Sequence, residues 1–189
     1  MKQVEGYVER ITYRNEDNGY SVIYLSNPEP KADEDDEVCC VGFFSFVSEG
    51  EYLVINGRET VHKSYGPQIQ VESYETKRPS SQVAIEKYLG SGAIKGIGAA
   101  LAARIVRRFG EKTFEIIENE PERLAEIKGI SMKMAVSVAK QFNDKRQMRQ
   151  SVIFLQEYGI SVNMAVKIYK FYGEKIYEIM QQNPYRLAI

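Results

Sequence analysis

The sequence predicts two fold classes in series: a small β-barrel, then an all-α array of repeated helical hairpins. Three observations carry this. As far as about residue 75, β-branched and aromatic residues come in short runs separated by turn residues; after Pro79 the apolar positions recur at helical spacing. Charge divides at the same place. Residues 1–75 carry 6 Lys and Arg against 15 Asp and Glu, and residues 76–189 carry 19 against 11. A short Gly-Ile-small turn then occurs three times in the basic part. The expected domains are an acidic barrel over 1–76 and a basic helical domain over 80–189, the latter incomplete at its C-terminal end.

The strands are expected at 4–13, 20–25, 38–46, 52–55, 59–62 and 68–74. Asn18-Gly19 marks a hairpin, because both residues tolerate positive φ. Residues 27–36 hold two prolines and a run of carboxylates and read as a loop. Five or six short strands in this length suit an OB-like barrel, although an SH3-like barrel would read much the same.

The helical part is internally repetitive. Its turns are Gly96-Ile97-Gly98, Gly129-Ile130-Ser131 and Gly159-Ile160-Ser161. Four residues beyond each turn stand Ala102, Ala135 and Ala165. Seven beyond stand Ile105, Val138 and Ile168. Eight beyond stand Val106, Ala139 and Tyr169, and eleven beyond stand Phe109, Phe142 and Tyr172. These offsets trace one apolar helix stripe. Nine beyond, on the solvent side, come Arg107, Lys140 and Lys170. Gly110-Glu111-Lys112 returns as Gly173-Glu174-Lys175, and Pro121-Glu122-Arg123-Leu124-Ala125 as Pro184-Tyr185-Arg186-Leu187-Ala188. Agreement at this many positions is repetition. The same spacing places a fourth turn beyond Ile189, so the chain is expected to be cut from a longer polypeptide.

Helix, glycine turn, helix resembles the helix-hairpin-helix motif of proteins that bind DNA without sequence preference. The chemistry is legible in the residues. Glycine lets the backbone turn sharply and approach a ligand. The turn opens a helix N-terminus, whose unpaired N–H groups and dipole favour an anion. Amides meet phosphates rather than base edges, so such binding reads no sequence. In the first hairpin the candidate contacts are Lys95, Gly96, Ile97, Gly98, Arg104, Arg107 and Arg108. In the second they are Lys128, Gly129, Ser131, Lys133 and Lys140, with Ser131 in place of a second glycine and also able to cap the helix. The third hairpin, with Tyr158, Ser161, Asn163, Lys167 and Lys170, is expected to be a structural repeat.

The whole chain resembles the N-terminal region of the RecD-like (RecD/TraA family) ATP-dependent DNA helicases. The resemblance rests on Gly6-Tyr7-Val8-Glu9-Arg10-Ile11, Asn15-Glu16-Asp17-Asn18-Gly19-Tyr20, Lys63-Ser64-Tyr65-Gly66, Val71-Glu72-Ser73-Tyr74-Glu75, Asn183-Pro184-Tyr185-Arg186-Leu187 and, most distinctive, the run from Tyr88 to Gly98. It implies a parent enzyme that couples ATP hydrolysis to 5′ to 3′ unwinding in DNA repair or recombination, with ATP and magnesium held by a downstream motor. No G-x-x-x-x-G-K-[ST] sequence exists in this chain. By itself it is expected to hold no cofactor and to catalyse nothing.

The expected partners are DNA and the helicase motor, with a replication or repair protein as a further partner on the barrel. The acidic balance of the barrel disfavours phosphate there, and its aromatic rings are expected to be core or cross-strand pairs. A RuvA-like junction-binding subunit and a pure protein-interaction scaffold remain rival readings. His62, the single histidine, reads as a strand residue, and the carboxylates of 33–37 as a solvated loop; no metal site is expected. No apolar run approaches the ~20 residues of a membrane span. Adjacent Cys39 and Cys40, with no signal-peptide pattern, suit the cytoplasm.

Overall fold

The computed structural model describes residues 1–29, 37–44 and 46–182. The expected acidic loop beyond residue 29 and the echo at 184–188 lie outside the described residues. The chain falls into two compact units, residues 1–139 and 140–189.

The first unit opens with five strands: β1 (Lys2–Arg14), β2 (Tyr20–Glu29), β3 (Glu37–Phe43), β4 (Tyr52–His62) and β5 (Gly66–Lys77). They close into a barrel in the order β1-β2-β3-β5-β4, all antiparallel except the β3–β5 pair. This is the OB-like barrel of the sequence reading. Alternation explains its interior: Val4, Val8, Ile23, Leu25, Cys40, Leu53 and Ile55 are buried within it. The neighbouring cysteines point to opposite faces of β3. Burial pushes the Cys40 thiol well above its usual range, whereas half-buried Cys39 meets the Tyr24 hydroxyl. The rings pair as expected, Tyr7 on Tyr52, Tyr20 on Phe43 and Phe44 on Tyr74. His62 is the last residue of β4.

β1 and β5 run one to three residues beyond their expected bounds, and three larger differences have a physical reason or a new limit. Segments 52–55 and 59–62 are one strand, because the Asn56–Gly57 break is a register shift inside the β4–β5 ladder. A side chain at Gly57 would stand 2.3 Å from the Gln70 carbonyl oxygen, so glycine is demanded by close backbone approach and not by a turn. β2 continues to Glu29 past the expected loop start, with a register shift against β1 between Ser26 and Glu29. Pro28 falls in that shift. β3 ends at Phe43, short of residue 46.

The β1–β2 connection is a wide turn. Asn15 Oδ1 accepts from the Asp17 and Asn18 amides, and Gly19 takes φ 77°. The asparagine thus replaces part of the turn's backbone hydrogen bonding.

A helix packs against the barrel at Gly50 and Glu9. α1 (Gln82–Gly90) starts at Ser81, whose hydroxyl accepts from the Ala84 amide at 3.2 Å. It buries Ala84, Ile85, Tyr88 and Leu89. Gly50, at φ 86°, lies so close beneath it that a Cβ would stand 2.5 Å from the Tyr88 nitrogen. Lys87 pairs with Glu9 of β1 at 2.5 Å and holds that carboxyl below the usual carboxylate range.

The remaining helices of this unit are α2 (Ala99–Phe109), α3 (Thr113–Asn119) and the start of α4 (Met132–Gln156), with 3-10 turns at Gly110–Lys112 and Pro121–Glu126. The second hairpin is therefore entered from a 3-10 turn, where a full helix was expected. Pro121 opens it, where the missing N–H costs no bond, and Leu124 is its one buried residue, so no apolar stripe holds a longer helix against the core.

The second unit holds the rest of α4, then α5 (Val162–Tyr172), a 3-10 turn at Gly173–Lys175 and α6 (Ile176–Gln182). The echo of Gly110-Glu111-Lys112 in Gly173-Glu174-Lys175 is geometric as well. Both glycines take the same unusual backbone, φ 60° with ψ −136° and φ 59° with ψ −137°. Each opens a 3-10 turn followed by a seven-residue helix.

Replacing Gly50 by alanine should cost roughly 2–4 kcal/mol, since it combines positive-φ strain with a backbone clash against α1. A urea melt of the variant should show the loss as a lower midpoint; an unchanged midpoint would mean that α1 does not sit on Gly50.

Candidate nucleic-acid interface

Turn chemistry builds the site. In the first hairpin Gly96 takes φ 93°, Ile97 is buried with its amide on the Ile94 carbonyl, and Gly98 begins α2. In the second, Gly129 takes φ 99°, Ile130 is buried with its amide on the Ile127 carbonyl, and Ser131 precedes α4. Each middle isoleucine anchors its turn in the core, and each first glycine supplies a backbone that other residues rarely adopt.

The two turns hold each other. A Cβ at Gly96 would stand 3.4 Å from the Met134 methyl, and one at Gly129 would stand 3.2 Å from Leu101 Cδ2. Met134 and Leu101 occupy the same place in the repeat, three residues beyond Ser131 and Gly98. Each hairpin's second helix thus covers the other hairpin's glycine. Arg104 strengthens one side, donating from Nη1 to the Lys128 carbonyl at 3.1 Å.

The helix starts differ. Gly98 is extended (φ −96°, ψ −178°) and gives α2 no side-chain cap. Its role is thus openness, since any residue adopts that backbone and nothing lies within 4 Å of a Cβ there. Ser131 caps α4 by accepting from the Met134 amide at 3.1 Å. In the second unit Ser161 caps α5 likewise, accepting from Met164 at 3.4 Å. Serine therefore occupies in hairpins two and three one first-turn amide that hairpin one leaves uncapped.

The structure brings most of the expected residues together. Lys95, Gly96, Gly98, Arg104, Lys128, Gly129, Ser131 and Lys133 are exposed on or beside the paired turns. Arg107 is exposed further along α2. Arg108 is engaged elsewhere, pairing with Glu126 at 3.2 Å beside the Phe109 ring. Lys140 is exposed on α4 and is the first residue of the second unit. The stripe holds at offsets four and seven, where Ala102, Ile105, Ala135, Val138, Ala165 and Ile168 are buried; at eight and eleven Val106 and Phe142 are buried but Ala139, Tyr169, Phe109 and Tyr172 only partly so, and Arg107, Lys140 and Lys170 are exposed. Sequence reasoning missed the clasp between the turns. Its only trace in the chain is the matching offset of Leu101 and Met134.

Among the described residues no group of three His, Cys, Asp or Glu side chains is placed to hold a metal ion, and no helix is long and apolar enough to cross a membrane. The arrangement offers main-chain N–H groups at α2 and α4 ringed by lysine and arginine, a setting for an anion.

Comparison with known proteins finds two family profiles. A family profile described as the OB-fold domain of the ATP-dependent DNA helicase YrrC matches residues 1–79. One described as the helix-hairpin-helix domain of ATP-dependent RecD2 DNA helicases matches residues 91–147 and again 144–189. The chain is 21% identical over 188 residues to the ATP-dependent RecD2 DNA helicase of Deinococcus radiodurans, covering 98% of this chain and 26% of that protein. It therefore spans about a quarter of the length of this relative. Among solved structures, the Stn1–Ten1 complex of S. pombe aligns over 40% of this chain and 57% of its own, at 19% identity and TM-score 0.31, too low to carry weight.

Gly98→Ser should stabilise the fold by about a few tenths of a kcal/mol, because it adds the cap that α2 lacks. Gly96→Ala should destabilise it by about 1–2 kcal/mol through positive-φ strain. Parallel urea melts would show the two midpoints moving in opposite directions; equal shifts would contradict the different conformations of the two glycines.

Proposed function

Since the chain belongs to the family of ATP-dependent RecD2 DNA helicases, we propose that it forms the DNA-gripping N-terminal region of such an enzyme. It binds phosphates without regard to sequence, through hairpins one and two acting together. The observation that carries this is the pair of mutually clasped glycine turns, with α2 uncapped and lysines beside both. Amides held at two fixed points suit two phosphates of one nucleic acid, and the lysines add attraction that salt weakens.

The parent then couples ATP hydrolysis to 5′ to 3′ unwinding in repair or recombination, in the cytoplasm. ATP and magnesium belong to a motor downstream, because this sequence lacks the phosphate-binding loop that would hold them. Hairpins one and two guide DNA beside that motor. The acidic barrel serves as a rigid spacer or a docking point for a replication or repair protein, since excess carboxylate repels phosphate.

Salt titrations of DNA affinity for the 189-residue chain test this. Arg107→Ala, Lys128→Ala and Lys133→Ala should each weaken binding to any sequence and flatten the log–log salt slope by about 0.7–0.9 for every phosphate no longer neutralised. A triple variant that binds duplex and single strands as tightly as wild type at low salt would falsify the proposal.

Capping supplies an opposite pair of outcomes. Ser131→Gly frees the Met134 amide and should tighten DNA binding by roughly three- to tenfold, while Gly98→Ser should loosen it by a similar factor. Affinity that ignores both exchanges would rule out main-chain amides as the phosphate donors.

A further inference from the structure

Arg104 was expected to reach a phosphate, yet one arm of its guanidinium is turned inward. We propose that Arg104 is a positioning residue. It clasps the second hairpin to α2 and aims the Gly129 amide outward, so that the two glycine turns meet DNA as one unit. The functional half of this rests on the DNA-binding role proposed above; the clasp does not.

Three observations support it. Arg104 Nη1 donates to the Lys128 carbonyl at 3.1 Å. The same nitrogen stands 3.4 Å from where a Cβ of Gly129 would be, so the guanidinium lies against the turn itself. Leu101, three residues earlier on the same face of α2, has its Cδ2 3.2 Å from where that Cβ would be. One helix face thus holds the turn twice, by apolar contact and by a charge-assisted hydrogen bond.

Peptide geometry supplies the consequence. The Lys128–Gly129 peptide is planar and trans, so its carbonyl and its N–H point in opposite directions. Pulling the Lys128 carbonyl toward α2 turns the Gly129 N–H away from α2, and Gly129 is exposed. A glycine at φ 99° has no side chain to resist rotation of that peptide plane, so an outside tie is needed to keep the amide aimed. The tie also fixes the distance between the turns. Two weak sites at fixed spacing bind one polymer far better than two sites that move independently.

Position and charge can be separated. Arg104→Met keeps the aliphatic stem and removes the donor, while Arg104→Lys returns a donor able to approach the carbonyl. Without DNA, hydrogen exchange of the Ile130 amide, which is bonded to the Ile127 carbonyl, should quicken in Arg104→Met and return toward wild type in Arg104→Lys. Exchange in Arg107→Ala should stay as in wild type. With DNA, Arg104→Met should bind about tenfold more weakly at an unchanged salt slope, whereas Arg107→Ala flattens the slope. Exchange at Ile130 unaffected by Arg104→Met overturns the clasp. A slope flattened by Arg104→Met as much as by Arg107→Ala overturns it in favour of a direct phosphate contact. If the wild-type chain binds neither duplex nor single strand, the DNA-binding role falls, and the exchange measured without DNA still decides the clasp.

Discussion

Left-handed glycine backbone at the two helix entrances is the constraint on which the functional face depends. At Gly96 and Gly129 the chain reverses within one residue, buries the isoleucine that follows, and starts a helix with its amides exposed. The missing side chain is used a second time. It lets Met134 lie over one turn and Leu101 over the other, so each hairpin becomes part of its partner's packing. A side chain at either glycine would strain the turn and also push against the neighbouring helix.

The same economy separates the three hairpins into grades. All share a left-handed first glycine and a buried stripe on the following helix. They differ at the residue before that helix, where a glycine leaves α2 open and a serine closes part of α4 and of α5. Helix capping and the proposed anion binding draw on the same amides there. A serine satisfies an orphan donor within the protein; a glycine leaves it for a ligand.

The barrel and the helices of the first unit are tied by backbone proximity as well as by side chains. Gly50 admits α1 to within contact of the barrel, and Lys87 on that helix pairs with Glu9. An acidic module is thereby fastened beside a basic one.

Much was legible without coordinates. Alternation announced the barrel, the 3.6-residue stripe announced the helices, and repeated offsets announced which faces are buried, because each signal depends on neighbours a few residues apart. The strand junction at Gly57 was misread because its glycine answers a contact with Gln70, thirteen positions away. For the site, the sequence by itself determined the residue types: glycine turns, helix starts and a basic surround. Only the tertiary structure decided that the turns at 96 and 129 interlock, that Arg104 faces inward to Lys128, and that Arg108 is engaged by Glu126. Those outcomes depend on distances between segments far apart in the chain, and no local pattern of residues encodes such distances.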